Sequence, residues 1–365
     1  MTLLISNTDV QSLFAMSDCI EALEDGFKEL AAGRAANSPR TDMMFPTRNP
    51  NTFYKFKCIQ GGIMKLGVVG QRTQSDFDHF YEEGGIIKLA DHRENYPSNV
   101  FLYSMETLEL LAIVHDGELQ RMRVAGMCAV AAKYLAKENA RILGLYGAGF
   151  QAGSMIRAMC AVRPIKEVRV YSPTPERRIK FCQEMSEKQG IEVKSVDTPN
   201  QVPKGADIVA CATNVVTPGG VCQGAWLEPG SHLTCIKYRE FDAESYQRTS
   251  KIFHTNFTED LQHFYSLYMP AGVKVPERSN RAEGSDQKFY RNYSRKMYGL
   301  EELLVGKVKG RTDDAEITMY MKGMGNGTEF TATAKKIYDL ALARGIGKEI
   351  PGEWFKQVTH ASWSR

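Results

Sequence analysis

The chain has 365 residues, of which 43% are hydrophobic and 24% charged, and a formal net charge of +3. That length suffices for two domains and a substantial core. The positive excess is small and scattered, with no run of five or six like charges, which argues against nucleic acid as a partner. No apolar stretch approaches the ~18 residues of a membrane helix, so no membrane partner is expected.

Met1–Asp9 has no basic start and meets an acid at Asp9, so it is not read as a secretory signal. Val10–Ala32 carries apolar residues at helical spacing and ends before Gly33. Phe53–Phe56, Lys65–Val69, Val100–Tyr103 and Leu108–Val114 read as strands, with a hairpin turn at Glu106-Thr107 and a further turn at Asp116-Gly117. The first third is therefore predicted to be helix plus antiparallel sheet. Arg121–Leu135, rich in Ala and Met, is predicted to be a helix joining two domains.

From Arg141 the pattern changes to strand–helix alternation. Candidate strands are Ile142–Tyr146, Glu167–Tyr171, Glu192–Val196, Asp207–Ala212, His232–Ile236 and Lys251–His254. This predicts a doubly wound parallel sheet. Pro270–Arg295, polar and broken by Pro and Gly, reads as a surface excursion. Leu300–Val305 and Thr328–Ala343 read as helices and 345–365 as an irregular tail. The eight cysteines form no Cys-x-x-Cys, and several lie in apolar segments. They read as small buried hydrophobes in a reducing, cytoplasmic setting. Without a Cys/His cluster or paired helical histidines, no metal site is expected.

The most informative stretch is Arg141–Ala152. A buried strand runs into Gly147-Ala148-Gly149-Phe150-Gln151-Ala152, which fits G-x-G-x-x-G/A. The first glycine permits the tight turn, the second lets backbone approach a pyrophosphate, and Ala152 lets the helix sit close to its strand. The helix N-terminus offers N–H groups and a positive dipole end to phosphates. A helix-permissive segment, Ser154–Val162, and a second strand complete a βαβ unit. That strand ends Tyr171-Ser172-Pro173-Thr174-Pro175-Glu176-Arg177-Arg178. No acid stands at its tip to meet a ribose 2′-OH. Ser172, Thr174 and Arg177 or Arg178 suit a 2′-phosphate, so NADP is favoured over NAD, with Glu176 the residue that speaks for NAD. Thr174-Pro175 also reads as N-cap and first residue of a helix. Thr213 and Asn214 follow the fourth strand and are candidates for the nicotinamide side of the cofactor.

Several strings in order resemble the ornithine cyclodeaminase/mu-crystallin family. They are Phe56-Lys-Cys-Ile-Gln-Gly-Gly62, Gln120–Gly126, Tyr146–Ala152, Val162–Tyr171, Leu227–His232 and Leu300–Leu304 followed by Gly310-Arg311 and Ile317-Thr318. The resemblance implies a Rossmann-type domain, 123–319, inserted into an α+β substrate-binding and dimerisation domain, 1–122 plus 320–365, and a homodimer. It implies a catalytic lysine at Lys57, with Lys55 and Lys65 as strand-edge lysines. It implies arginines on the substrate α-carboxylate, at Arg40 and Arg123, with Arg72 a third candidate. A guanidinium suits this because its planar fork holds a carboxylate through two parallel bonds.

One position departs from the family. Cyclodeaminases carry an aspartate after the strand at 232–236, and Arg239 stands in its register here, with Glu240 or Asp242 reachable by a short slip. Loss of that acid leaves hydride transfer. The expected activity is an NAD(P)-dependent reductase of an imino acid, or equivalently an amino-acid dehydrogenase, with 2-oxo acids among its substrates. Should Arg239 face the pocket, a second substrate carboxylate is implied. The alternatives are ornithine cyclodeamination with tightly held NAD and a mu-crystallin-like ligand-binding protein without turnover.

Overall fold

The computed structural model describes all residues except 84–85, 91–95, 214–218, 256–264, 277–288, 290 and 358–365. Two sheets organise the described chain. The first has ten strands, mostly antiparallel. Its central ladder runs through Arg40–Pro46, Thr52–Ile63, Val68–Glu83, Ser98–Ser104 and Leu110–His115. Thr2–Ile5 and Lys348–Ile350 extend it at one edge, so both chain ends build the same sheet. Residues 348–350 are thus a strand within the tail predicted to be irregular. At the other edge Tyr265–Tyr268, from the middle of the sequence, pairs parallel with Arg40–Pro46.

The second sheet has eight strands, all paired parallel. In spatial order they are Glu192–Ser195, Glu167–Tyr171, Ile142–Tyr146, Ile208–Cys211, His232–Cys235, Thr318–Met321, Lys251–His254 and Met297–Gly299. The strand order reverses between Ile142–Tyr146 and Ile208–Cys211, which makes that gap the topological switch point. All six predicted strands are present within a residue or two. Two more complete the sheet. Thr318–Met321 is fully buried in its middle, so the division at 319/320 falls inside a strand.

Three local expectations are corrected. The opening helix is two helices, Asn7–Leu13 and Met16–Ala31, because Phe14 and Ala15 take extended backbone; at the start of the second, Asp18 accepts from the N–H of the N-cap Ala15. Asp116-Gly117 is not a turn but the first turn of the helix Asp116–Leu135, whose N-cap His115 accepts from the Gly117 N–H. The segment 65–69 is split: Met64–Leu66 is a 3₁₀ turn and the strand begins at Val68.

The helix Gly327–Arg344 lies on the inner face of the first sheet. Glycines allow its close approach. A Cβ on Gly61 would stand 2.5 Å from the Gly327 carbonyl carbon, and one on Gly70 would stand 2.5 Å from the Thr331 hydroxyl. The Thr331 hydroxyl donates to the Gly61 carbonyl at 2.8 Å. Gly61, four residues after Lys57, therefore belongs to helix–sheet packing. The helix Asp116–Leu135 is buried along nearly its whole length between the two sheets and carries a continuous core from one to the other.

Candidate active site

The phosphate turn has the shape that the glycine pattern demands. Gly147 has φ 110°, donates its N–H to the Tyr171 carbonyl at 2.8 Å, and would bring a Cβ to 2.5 Å from the Ala212 carbonyl oxygen. Only glycine is comfortable there. A Cβ on Gly149 would meet nothing within 4 Å, so this side of the turn is open. Ala148 packs partly against the core and Ala152 is fully buried at the start of the helix Ala152–Val162. No side chain caps that helix. The Gln151 Oε1 atom is buried without a hydrogen-bond partner. Phe150 is exposed, with the Arg121 guanidinium 5.5 Å from its ring centroid, and Arg121 Nε is likewise buried and unpartnered. An uncapped N-terminus, an open glycine face and the unfilled Arg121 Nε–H donor fit a nucleotide pyrophosphate. Arg121 was not singled out in the sequence, where only its neighbour Arg123 carries the family pattern.

At the end of the second strand, Arg178 is buried. It donates to Ser195 Oγ at 2.6 Å and to the Ser172 carbonyl at 2.8 Å, and it stacks on Tyr171. It therefore braces the loop, whereas Arg177 is exposed. Thr174 caps the helix Pro175–Gln189 through backbone alone, and its side chain makes no capping bond.

The carboxyl edge of the parallel sheet is held together by Glu240. This fully buried carboxylate accepts from the Thr213 N–H at 2.6 Å and hydroxyl at 2.7 Å, and from the Ile236 and Lys237 N–H groups at 2.9 Å each. Burial raises its carboxyl above the usual range even against these four donors. The Thr213 hydroxyl thus donates to Glu240 at the carboxyl end of its strand. Asn214 lies outside the described residues. Asp242 caps the helix Ala243–Arg248, accepting from Ser245 N–H at 2.8 Å and Gly224 N–H at 2.9 Å. Arg239 is half-buried, donates to the Tyr238 hydroxyl at 2.6 Å and lies over that ring. Both acids near the cyclodeaminase position are therefore committed to loop structure.

On the inner face of the first sheet the period-2 alternation brings the predicted residues side by side. Lys57 faces Asp42 across one ladder and Gln74 across the other. Its ammonium donates to Asp76 Oδ2 at 2.8 Å, and the side chain is 13% exposed. Burial, then the like charge of Lys55, pull Lys57 down from 10.5 to about 8 against the pull of Asp76. Lys55 is no strand-edge lysine: it is buried and paired with Asp78. Lys65 falls in the 3₁₀ turn. Arg40 grips Asp42 with both arms of its fork, at 2.8 and 2.7 Å.

Arg72 and Arg123 are deeper. Arg72 donates to Asp116 at 2.8 Å and to Gln74, and Gln74 donates to Asp76 at 2.6 Å. Arg123 donates to Glu329 at 2.7 Å, while its Nε is buried without a partner. Phe330 is gripped between them, its centroid 4.3 Å from the Arg123 guanidinium and 5.3 Å from that of Arg72. Glu329 also accepts from the fully buried Lys322 at 2.9 Å. Burial alone would push the Glu329 carboxyl up; Lys322 and Arg123 outweigh it and hold it below the usual value. Lys322 follows the strand Thr318–Met321, and its N–H donates to the Cys235 carbonyl at 2.8 Å.

A continuous path of contacts therefore joins the two halves. It runs from the carboxyl edge of the parallel sheet through Lys322, Glu329, Arg123, Phe330, Arg72, Gln74 and Asp76 to Lys57. Ligands of such sheets lie beyond the carboxyl ends of the strands. Packed side chains thus connect Lys57 to the carboxyl edge of the parallel sheet. Glu329, Lys322 and Phe330 had no sequence signal of their own beyond a short polar break before a helix.

Fold and cradle together define a Rossmann-type, nicotinamide-dependent oxidoreductase. The ornithine cyclodeaminase/mu-crystallin family profile matches residues 92–345, more than half of the chain, and the protein belongs to that family. Among its relatives, the Delta(1)-pyrroline-2-carboxylate reductase of Bacillus cereus is 26% identical over 364 residues, covering 95% of this chain and 99% of the relative. The Delta(1)-pyrroline-2-carboxylate reductase of Thermococcus litoralis, solved with NADH and L-proline, superposes with TM-score 0.76 at 26% identity, covering 95% of this chain and all of that one. The iminosuccinate reductase of Paracoccus denitrificans, solved with NAD+, gives TM-score 0.74 at 21% identity over 96% and 99% of the two chains.

Proposed function

We propose that the protein reduces the C=N bond of a small imino acid to the amino acid, using NADPH or NADH. The observation that carries this reading is the path linking Lys57 to the nucleotide edge, with Glu240 and Asp242, the acids near the cyclodeaminase position, both engaged in loop and helix-cap bonds. The turn Gly147–Ala152 and the uncapped helix that follows it would hold the nucleotide, whose nicotinamide would supply the hydride when bound. Arg123, with its unfilled Nε, fixes the substrate carboxylate, and Arg40 joins it by exchanging the Asp42 carboxylate that now fills its fork for that of the substrate. Arg72 is assigned a supporting part, because it is anchored on Asp116 and holds Gln74, which in turn holds the Asp76 that pairs with Lys57. Lys57 gives a proton to the substrate nitrogen as the carbon is reduced. A value near 8 keeps it mostly ammonium at neutral pH yet ready to part with the proton. The relatives act on pyrroline-2-carboxylate and iminosuccinate, so a cyclic or open imino acid is the substrate class.

NADP is the preferred nucleotide in this reading. Its support is the acid-free tip of the second strand, with Ser172, Thr174 and exposed Arg177 around it. A homodimer through the first sheet is supported by the outer face of that sheet. There Met43, Phe45, Phe77 and Tyr81 are exposed, and Tyr54 lies 6.4 and 6.1 Å from the Phe45 and Phe77 ring centroids. A cytoplasmic setting is supported by eight free thiols. Among the described residues no helix is long and apolar enough to cross a membrane.

The test is oxidation of NADPH and NADH with pyrroline-2-carboxylate, iminosuccinate and a panel of 2-oxo acids plus ammonia or methylamine. Stoichiometric loss of the reduced nucleotide with one of these supports the reading. Conversion of L-ornithine to proline and ammonia with catalytic NAD+, and no reduction of any imine, overturns it.

A further inference from the structure

We propose that Asp76 receives the substrate nitrogen, and that this acid selects imino acids carrying an N–H over acids that lack one. The proposal rests on the imino-acid reading above. Asp76 stands on Val68–Glu83 in register with Lys55, on the inner face shared with Arg72 and Gln74. Its carboxylate is used on one side only. Oδ2 takes both donors, Lys57 Nζ at 2.8 Å and Gln74 Nε2 at 2.6 Å. Oδ1 is buried and takes none. A buried carboxylate oxygen left without a donor is costly, and native structures rarely leave one without a ligand, an ion or an ordered water to complete it.

The position decides what that donor is. Asp76 is one hydrogen bond from Lys57, so an N–H reaching Oδ1 belongs to a nitrogen beside the proton donor. A protonated imine, or the ammonium of the product, offers that N–H together with positive charge. A 2-oxo acid offers neither. Asp76 is also held in place before substrate arrives, because Gln74 is itself held by Arg72, and Arg72 by Asp116, which takes a further bond from Ser98 at 2.7 Å. The arginines and Asp76 then meet the two charges of a zwitterion separately. This gives the chain an acid at the substrate nitrogen from the antiparallel sheet, in place of the one missing after the strand His232–Cys235.

The experiment is calorimetric titration of the enzyme–NADP+ complex with L-proline and with cyclopentanecarboxylate, which keeps ring and carboxylate but lacks nitrogen. The wild type is expected to bind L-proline at least tenfold tighter. Asp76→Asn is expected to reduce the preference to about twofold or less, with cyclopentanecarboxylate binding unchanged, while Asp76→Glu keeps part of it. Asp76→Ser, read in the same way, covers the case in which Asp76→Asn does not fold. An undiminished preference in the variants, or none in the wild type, overturns the proposal and leaves the imino-acid reading standing. Binding of neither acid overturns the proposal for a cyclic imino acid, and the imino-acid reading itself then falls only if the nucleotide-oxidation panel also shows no reduction of any imine.

Discussion

The basicity of Lys57 gives the sharpest handle on the chemistry. The group is held at about 8 instead of 10.5, chiefly by burial and next by the charge of Lys55. At ~1.4 kcal/mol per pH unit, its ammonium is disfavoured by about 3 kcal/mol relative to water. A lysine that must be protonated to act loses activity as pH rises through its own value. kcat/KM for imine reduction is therefore expected to be level on the acid side and to fall about tenfold per pH unit above about 8. Lys55→Met removes the like charge and leaves Asp78 without its lysine partner. Both changes favour the Lys57 ammonium, so the alkaline limb should move up, by on the order of half to one pH unit. The assay is the pH–rate profile of both proteins on one imine, since the substrate's own titration is then common to both curves. A limb that stays in place or moves down in Lys55→Met would refute the assignment of that limb to Lys57.

Other expectations follow from the same structure. Gly147→Ala places a Cβ 2.5 Å from the Ala212 carbonyl at φ 110°, and should weaken nucleotide binding at least tenfold in a fluorescence titration. Arg177→Ala should raise KM for NADPH about tenfold and leave that for NADH unchanged; an equal effect on both would remove Arg177 from the 2′-phosphate site. Glu329→Gln strands Lys322 and Arg123 in the core, and chemical denaturation should show a loss of about 3–5 kcal/mol. His232 is held neutral down to about 3 by burial and by Arg311 and Arg163, whereas the unfolded chain takes up the proton near 6.5. Stability should therefore fall as pH drops below 6.5, by up to about 1.4 kcal/mol per unit from this residue. A neutral substitution at His232 that leaves the acid limb of a denaturation series unchanged would count against this.

Legibility in the sequence tracked how local the physics was. The parallel strands and the phosphate turn were readable because burial on both faces gives short apolar runs, and because a strand-to-helix turn beside a phosphate tolerates few residues besides glycine. The central strand Thr318–Met321 was missed, since its neighbours in space lie far away in sequence and no helix pattern precedes it directly. Lys57 and the arginines were legible through family resemblance, but their partners were not. Asp76 and Gln74 join Lys57 and Arg72 only because the register of an antiparallel ladder sets them on one face, and Asp116 meets Arg72 from the first turn of a helix. Glu240 looked like a spare catalytic acid in the sequence. Its real part, tying two strand ends through backbone N–H groups, depends on the loop conformation.

The most direct measurement is the fate of a label. Reduced nucleotide carrying deuterium at the transferred position of nicotinamide C4 would be incubated with the imino acid, and the product amino acid weighed by mass spectrometry. Expected is one deuterium at the α-carbon with the wild type, and loss of turnover by at least a hundredfold in Lys57→Met while nucleotide binding is kept. An unlabelled product, or a Lys57→Met enzyme that turns over at the wild-type rate, would contradict a lysine and a nicotinamide meeting over one substrate.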